Sequence, residues 1–226
     1  MDERLIDLRI EIQKLSDEAE SNGTPLSWFE DLYENANRNS DEIPWARMEP
    51  HPEMVEWIGK HPEISGKALV VGCGLGDDSE WLEEIGFEVT AFDVSKSSID
   101  WCRERFPNSS VNYCVEDLLS PPDHWIKSFD LVVEIHILQA IPEKIREGAA
   151  EILPSLLNSN GHLLCIGRLF DSTIVNDSGP PWALKRIWLE KKFENLNLIN
   201  FTHFTTDDTA SHGDFPAVKR FIAGWN

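Results

Sequence analysis

From Ala68 to Asp77 the chain reads Ala-Leu-Val-Val-Gly-Cys-Gly-Leu-Gly-Asp, an apolar run that passes straight into glycines at alternate positions. An uninterrupted apolar run of this kind is a strand buried on both faces, as in a parallel sheet covered by helices. Glycine at 72, 74 and 76 admits positive φ and lets the backbone come close to a ligand, because no Cβ intervenes. A buried strand that turns through glycines into a helix predicts an α/β fold with its ligand site at the carboxyl ends of the strands.

Further apolar runs at Glu88–Phe92, Ser110–Cys114, Phe129–Ile135 and His162–Gly167 alternate with helical patterns near 77–85, 95–105 and 142–157. This alternation implies a parallel sheet with helices on both faces. After Pro181 a helix over 183–194 leads to two β-rich runs, Leu196–Phe204 and Ala217–Gly224, expected as an antiparallel pair at the sheet edge joined by the polar loop 205–216. The prediction is therefore a three-layer, doubly wound, mostly parallel seven-stranded sheet with an antiparallel C-terminal hairpin. It occupies a domain at 66–226, preceded by an N-terminal helical extension and lid at 1–65. Within the extension, Leu5, Leu8, Ile12 and Leu15 form one apolar stripe of a helix over 3–20. Residues 21–66 combine Trp28, Trp45 and Trp57 with Pro44, Pro50, Pro52 and Pro62, which suits a cover of short helices.

With 40 Asp plus Glu against 20 Lys plus Arg, the formal charge is -20, which opposes binding to phosphate backbones and to anionic membrane surfaces. No stretch approaches the ~20 apolar residues of a membrane-spanning helix, and charges recur throughout the first residues, so a cytoplasmic location is expected. Cys73, Cys102, Cys114 and Cys165 form no CxxC pair, which argues for reduced thiols over a zinc site or a disulfide framework. Asp207, Asp208, His212 and Asp214 fall in the polar hairpin loop and are read as solvated, so no metal is expected.

A glycine turn after a first strand also serves nicotinamide and flavin domains. That fingerprint, begun at Gly72, requires Gly or Ala at 77, where this chain carries Asp77. An acid beside a pyrophosphate is repelled; beside a zwitterionic methionine moiety it is tolerated. Asp93, with Val94 next to it, ends the second strand about 20 residues past the turn and is suited to accept two hydrogen bonds from a ribose diol; the lesser alternative is a cap for the helix beginning near Ser95. Asp117 follows the third strand, where it can meet an adenine amino group while Leu118 packs on the ring, or simply be a solvated loop acid. At the mouth of the fourth strand, Glu134, His136 and Gln139 are candidates for positioning cofactor or contacting substrate. His136 is also the candidate general base, against a purely structural role.

Taken in order, these motifs resemble the class I S-adenosylmethionine-dependent methyltransferases over about residues 66–225. Val70 departs from the pattern, since many members carry an acid two residues before the first glycine, and one contact to the methionine moiety is thereby removed. A narrower likeness is to the thiopurine, thiol and halide methyltransferase group. It is carried by Ile43-Pro-Trp45 upstream of Pro50, Val71-Gly-Cys-Gly74 with Asp78 after it, Val132-Val-Glu134 with Gln139-Ala-Ile-Pro142, and Gly179-Pro-Pro-Trp182. The resemblance implies S-adenosylmethionine as cofactor, bound by Trp45, Gly72, Cys73, Gly74, Gly76, Asp93, Val94, Asp117, Leu118 and Glu134. It implies a small-molecule methyl acceptor bordered by His136, Gln139 and Trp182, with an N-terminal segment that closes over the cofactor. The Gly179-Pro-Pro-Trp182 stretch also reads as a rigid turn anchored by a core indole.

The implied reaction is in-line transfer of a sulfonium methyl to a soft or neutral nucleophile, driven chiefly by positioning in a dry pocket. A thiol acceptor gains from a general base, whereas a halide or preformed thiolate does not. Two other readings stand beside this one: a non-enzymatic cofactor-binding sensor or complex subunit, and a dinucleotide oxidoreductase.

Overall fold

In the computed structural model, β1 (Lys67–Val71) lies in the interior of a seven-stranded sheet and its side chains divide cleanly between the two faces. Ala68 and Val70 enter one apolar cluster, and Leu69 and Val71 the other. This period of two, apolar on both sides, is what a doubly covered strand requires. The structure describes residues 3–172, 179–206 and 218–226, with residues 3–9 and 206 described by backbone alone.

The remaining strands are β2 (Glu88–Asp93), β3 (Asn112–Val115), β4 (Phe129–Ile135), β5 (Leu157–Arg168), β6 (Leu198–Thr206) and β7 (Val218–Trp225). Their order across the sheet is β3-β2-β1-β4-β5-β7-β6. β1 pairs in parallel with both β2 and β4, and β7 pairs antiparallel with β5 and β6. The hairpin thus folds back so that its second strand is inserted beside β5, leaving β6 at the edge.

Three helices, α3 (Pro52–Gly59), α4 (Asp77–Glu84) and α5 (Lys96–Arg105), cover one face through Met54, Trp57, Leu82 and Ile99. The other face is covered by α6 (Glu143–Leu156) and α7 (Arg186–Lys192) through Ala149, Leu153, Leu189 and Phe193. The first two helices, α1 (Glu3–Ser21) and α2 (Ser27–Asn35), build a third cluster with Leu75 and Trp101, led by Ile12, Trp28, Leu32 and Tyr33. Ile12 is buried there as the apolar stripe predicts; the side chains of Leu5 and Leu8 lie outside the described residues.

Among the boundaries that differ from the sequence expectation, three have a direct cause in the contacts. β5 begins at Leu157, directly after α6, because Leu157 pairs with Phe129 before a register shift that accommodates Gly161. A Cβ at 161 would stand 2.6 Å from the Phe129 carbonyl oxygen. α7 is shorter than 183–194 because Leu184 is drawn into a parallel bridge with Leu169. β3 starts at Asn112 because Ser109 and Ser110 instead bond Glu80 and Glu83 of α4. Asp207, Asp208, His212 and Asp214 lie outside the described residues, and among those described no cluster of His, Cys, Asp and Glu could hold a metal ion. No described helix is long and apolar enough to cross a membrane.

Candidate functional site

The carboxyl ends of the parallel strands open on a cavity of about 630 Å³, within the size range of small-molecule sites. It lies at the switch point between β1 and β4, where the chain leaves for opposite sides of the sheet. Its floor is the glycine turn, with φ of 60° at Gly72, 54° at Gly74 and 91° at Gly76. At Gly72 a Cβ would stand 2.3 Å from Ile137 Cδ1, and at Gly76 2.5 Å from the Tyr113 hydroxyl. Conformation and space both demand glycine there.

Beside the turn, Asp93 is 7% exposed. Its Oδ2 accepts from the Gly74 N–H at 3.1 Å and its Oδ1 from the Ser95 N–H at 3.0 Å. Burial pushes its carboxyl up to about 6, against these amide bonds. The capping role falls to Ser95, whose Oγ accepts from the Ser98 N–H at 3.0 Å. A carboxylate offers about four acceptor positions, so Asp93 retains capacity for a ligand. Val94, Asp117 and Leu118 line the same end of the cavity. Asp117 is an exposed loop acid whose Oδ1 accepts from the Leu119 N–H at 2.9 Å, and it borders the cavity. The charge of Asp77 is answered by a fork from Arg105, at 2.8 and 2.7 Å. Its value against a pyrophosphate ligand is therefore smaller than its sequence position suggests.

Across β4 the character of the wall changes. Glu134 is 1% exposed and does not line the cavity; its Oε1 accepts from the N–H groups of Ile137 at 2.7 Å and Leu138 at 2.9 Å, and burial pushes its carboxyl up to about 7. It shapes the loop that carries His136, which lines the cavity at φ 65°. The ring Nε2 of His136 lies 3.3 Å from Arg220 Nη1. A guanidinium only donates, so this nitrogen accepts and the ring is neutral. Burial, with His51 and Arg220 nearby, takes its pKa down to about 3. Gln139 also lines the cavity, its Oε1 accepting from the Arg168 N–H at 2.5 Å and its carbonyl from the Trp182 N–H at 2.7 Å. Trp182 itself stands behind the wall, its ring under the Arg146 guanidinium at 5.5 Å, and Pro180 and Pro181 take the lining position.

The N-terminal helices form the roof. Trp28, Phe29, Tyr33 and Trp45 line the cavity, with Trp45 Nε1 donating to the Tyr33 hydroxyl at 2.7 Å. Trp45 packs edge-on to Trp28 at 6.0 Å. The roof is fastened by Glu30 of α2, whose carboxylate accepts from Ser95 Oγ at 2.6 Å, Ser97 Oγ at 2.7 Å and the Ser97 N–H at 3.0 Å. Burial acts against ionisation of Glu30, but these bonds outweigh it and its pKa lies below the ordinary value.

Of the residues expected at the site, Trp45, Gly72, Cys73, Gly74, Gly76, Asp93, Val94, Asp117, Leu118, His136 and Gln139 come together around one cavity, and Glu134 and Trp182 stand one layer behind it. Sequence reasoning passed over Tyr33, His51, Arg168 and Arg220, which share the lining. His51 had a usable signal, a polar ring between Pro50 and Pro52 in the short-helix cover. The arginines had none: Arg168 and Arg220 become neighbours only through the antiparallel pairing of β5 with β7.

A family model described as thiopurine S-methyltransferase matches residues 31–220. The chain is 23% identical over 198 residues to "Probable thiol methyltransferase 2" of Arabidopsis thaliana, an alignment covering 83% of this chain and 80% of the relative. It is 22% identical over 180 residues to a thiopurine S-methyltransferase of Aliivibrio fischeri, covering 74% of this chain and 81% of the relative. Its fold is similar to that of the N-methyltransferase NodS from Bradyrhizobium japonicum, solved in complex with S-adenosyl-L-homocysteine, with a TM-score of 0.64, 18% identity, and coverage of 87% of this chain and 96% of that one.

Proposed function

The chain belongs to the thiopurine S-methyltransferase family and is an S-adenosylmethionine-dependent methyltransferase of small molecules; within that activity we propose that its acceptor is a thiol-type nucleophile held at the arginine-lined end of the cavity. The observation that carries this reading is the order of charge along the strand tips. Asp117 stands beyond β3, Asp93 at the end of β2, His136 beyond β4, and Arg168 and Arg220 where β5 meets β7. In a chain of net charge -20, a basic end to the cavity favours a nucleophile that reacts as an anion, and sulfur reacts as the thiolate.

S-adenosylmethionine, when bound, supplies a methyl group activated on a sulfonium whose departure as a neutral thioether needs no proton. The residues present suit it: the open backbone at Gly72, Cys73, Gly74 and Gly76 provides close approach, and the spare acceptor capacity of Asp93 suits ribose hydroxyls. Val94, Asp117 and Leu118 would flank the base, and Trp45 would cover the cofactor. Glu134 acts at one remove by fixing the 137–138 backbone. His136 and Gln139 border the acceptor, and Trp182 buttresses that wall. In this reading residues 1–65 serve as extension and lid to the domain 66–226, and the roof aromatics exclude water from the transfer. The net charge of -20 opposes a nucleic-acid partner, and a cytoplasmic location is part of this reading.

The reading is tested by following S-adenosylhomocysteine release with a panel of thiols, hydrosulfide, thiocyanate, halides and small amines. Turnover is expected with thiols and other soft anions. Turnover confined to amines would overturn it.

A further inference from the structure

Two histidines border the basic end of the cavity, and their free lone pairs differ. His136 already accepts at Nε2 from Arg220, and its burial opposes any further proton. His51 is 4% exposed and lines the same cavity, with its ring 5.6 Å from that of His136. Its Nδ1 lies 2.9 Å from Glu53 Oε2, in ion-pair contact more than in an aligned hydrogen bond. The contact with His51 holds the Glu53 carboxyl below its ordinary pKa, against its partial burial. The His51 N–H donates to Asp78 Oδ1 at 2.7 Å, which anchors the backbone between Pro50 and Pro52. Nε2 of His51 makes no hydrogen bond to any described residue.

A carboxylate accepts and cannot donate, so Glu53 favours the His51 tautomer with its proton on Nδ1 and a lone pair on Nε2. An imidazole oriented by an acid on one nitrogen, with the other nitrogen free at a ligand cavity, is the arrangement of a general base. We propose that His51, oriented by Glu53, is the general base that takes the proton of a thiol acceptor entering the cavity undissociated. This rests on the acceptor reading above. The acceptor's S–H bond breaks and its proton passes to Nε2. The electron pair left on sulfur forms the new bond to the transferred methyl carbon. The pair of the cleaved carbon–sulfur bond stays with the donor's sulfur, and the imidazolium then loses its proton to solvent.

The charged and titratable groups around His51 are Glu53 on α3, Asp78 on α4, His136 after β4, Arg47 on the preceding loop and Arg220 on β7. His136, being neutral, does not compete.

The test compares wild type, His51→Gln and Glu53→Gln on a series of aryl and benzyl thiols of graded acidity at neutral pH, with S-adenosylmethionine affinity followed by calorimetry. His51→Gln should lose about 100-fold or more in kcat/KM on the least acidic thiol and less than about threefold on the most acidic one. S-adenosylmethionine affinity should not change. With S-adenosylhomocysteine bound, a benzyl thiol, which is undissociated when free at neutral pH, should show thiolate ultraviolet absorption in wild type and thiol absorption in His51→Gln. Glu53→Gln should move the acid limb of the kcat/KM profile to lower pH, and this variant carries the test should His51→Gln fail to fold. Equal loss across the series, a thiolate band that survives in His51→Gln, or an unmoved profile in Glu53→Gln overturns the assignment of His51 alone. If wild type methylates no thiol in the series, the acceptor reading falls, and the assignment of His51 with it.

Discussion

Asp93 illustrates how one residue is asked to do two things. Its two oxygens each take one backbone N–H, from Gly74 and Ser95, and so lock the glycine turn to the start of α5. In the reading proposed above, the remaining lone pairs meet a ribose diol, and both that task and the backbone one need the ionised carboxyl. Asp93→Asn puts an amide N–H₂ against a backbone donor and should weaken S-adenosylmethionine binding by at least about 1 kcal/mol, roughly fivefold. Because burial raises this carboxyl to about 6, a proton competes with the ligand, and wild-type affinity should fall as pH drops below that value. Calorimetric titration across this range in both proteins checks the role: affinity unchanged by the substitution and flat with pH would refute it. This residue was legible in the sequence because it ends an apolar run at a fixed distance from the glycine turn. Arg168 and Arg220 were not, because no one-dimensional spacing records that β7 runs antiparallel beside β5.

At the scale of elements, the parallel strands were legible from the apolar stretches at their centres, Ala68–Val71 in β1 and Leu131–Val133 in β4 among them, since burial on both faces favours apolar side chains in succession. Less legible were elements whose limits are set by partners: α7, cut short by the Leu169–Leu184 bridge, and β5, prolonged by pairing with Phe129. The roof belongs with these. Its tryptophans announce a cover, but what fastens α2 to the sheet domain is Glu30, an unremarked acid in an acidic chain, bonded to Ser95 and Ser97 at the first turn of α5. That site is favourable to an anion because the helix presents unpaired N–H groups and the positive end of its dipole there. Glu30→Ala should cost about 2 kcal/mol of stability, since hydrogen bonds to a charged group are removed and the Ser95 and Ser97 hydroxyls lose their acceptor. It should also raise the KM for S-adenosylmethionine and speed hydrogen exchange in α2 while leaving exchange in β1 and β4 unchanged. Loosening spread evenly through the molecule would show that Glu30 is not a specific fastening.

For the whole molecule, the question is how a chain of net charge -20 tolerates carboxyls sealed in its interior. Asp93 and Glu134 answer by holding their protons longer than exposed acids do, at about 6 and about 7. For a group whose folded pKa is raised, the stabilisation is complete below the unfolded pKa and is lost as pH rises through the folded one. Glu134 alone should therefore take about 2 kcal/mol from the ligand-free protein between about pH 5.5 and about pH 8. His136, lowered to about 3, works in the opposite sense, with stability lost as pH falls below the unfolded value. Over this pH range Glu134 and Asp93 together change stability by about 3 kcal/mol against about 1.4 kcal/mol for His136, and self-repulsion grows in the same direction as the acids as the chain moves away from its pI of 4.6. The ligand-free protein should thus melt higher near pH 5.5 than near pH 8, by roughly 4–8 °C from Glu134 alone. Glu134→Gln keeps an acceptor for the Ile137 and Leu138 amides while removing the titration. The difference in melting temperature between variant and wild type should then grow in the variant's favour as pH rises. A difference constant with pH would mean that Glu134 stays protonated throughout, or is better solvated than its burial allows, and would remove it as a source of the slope.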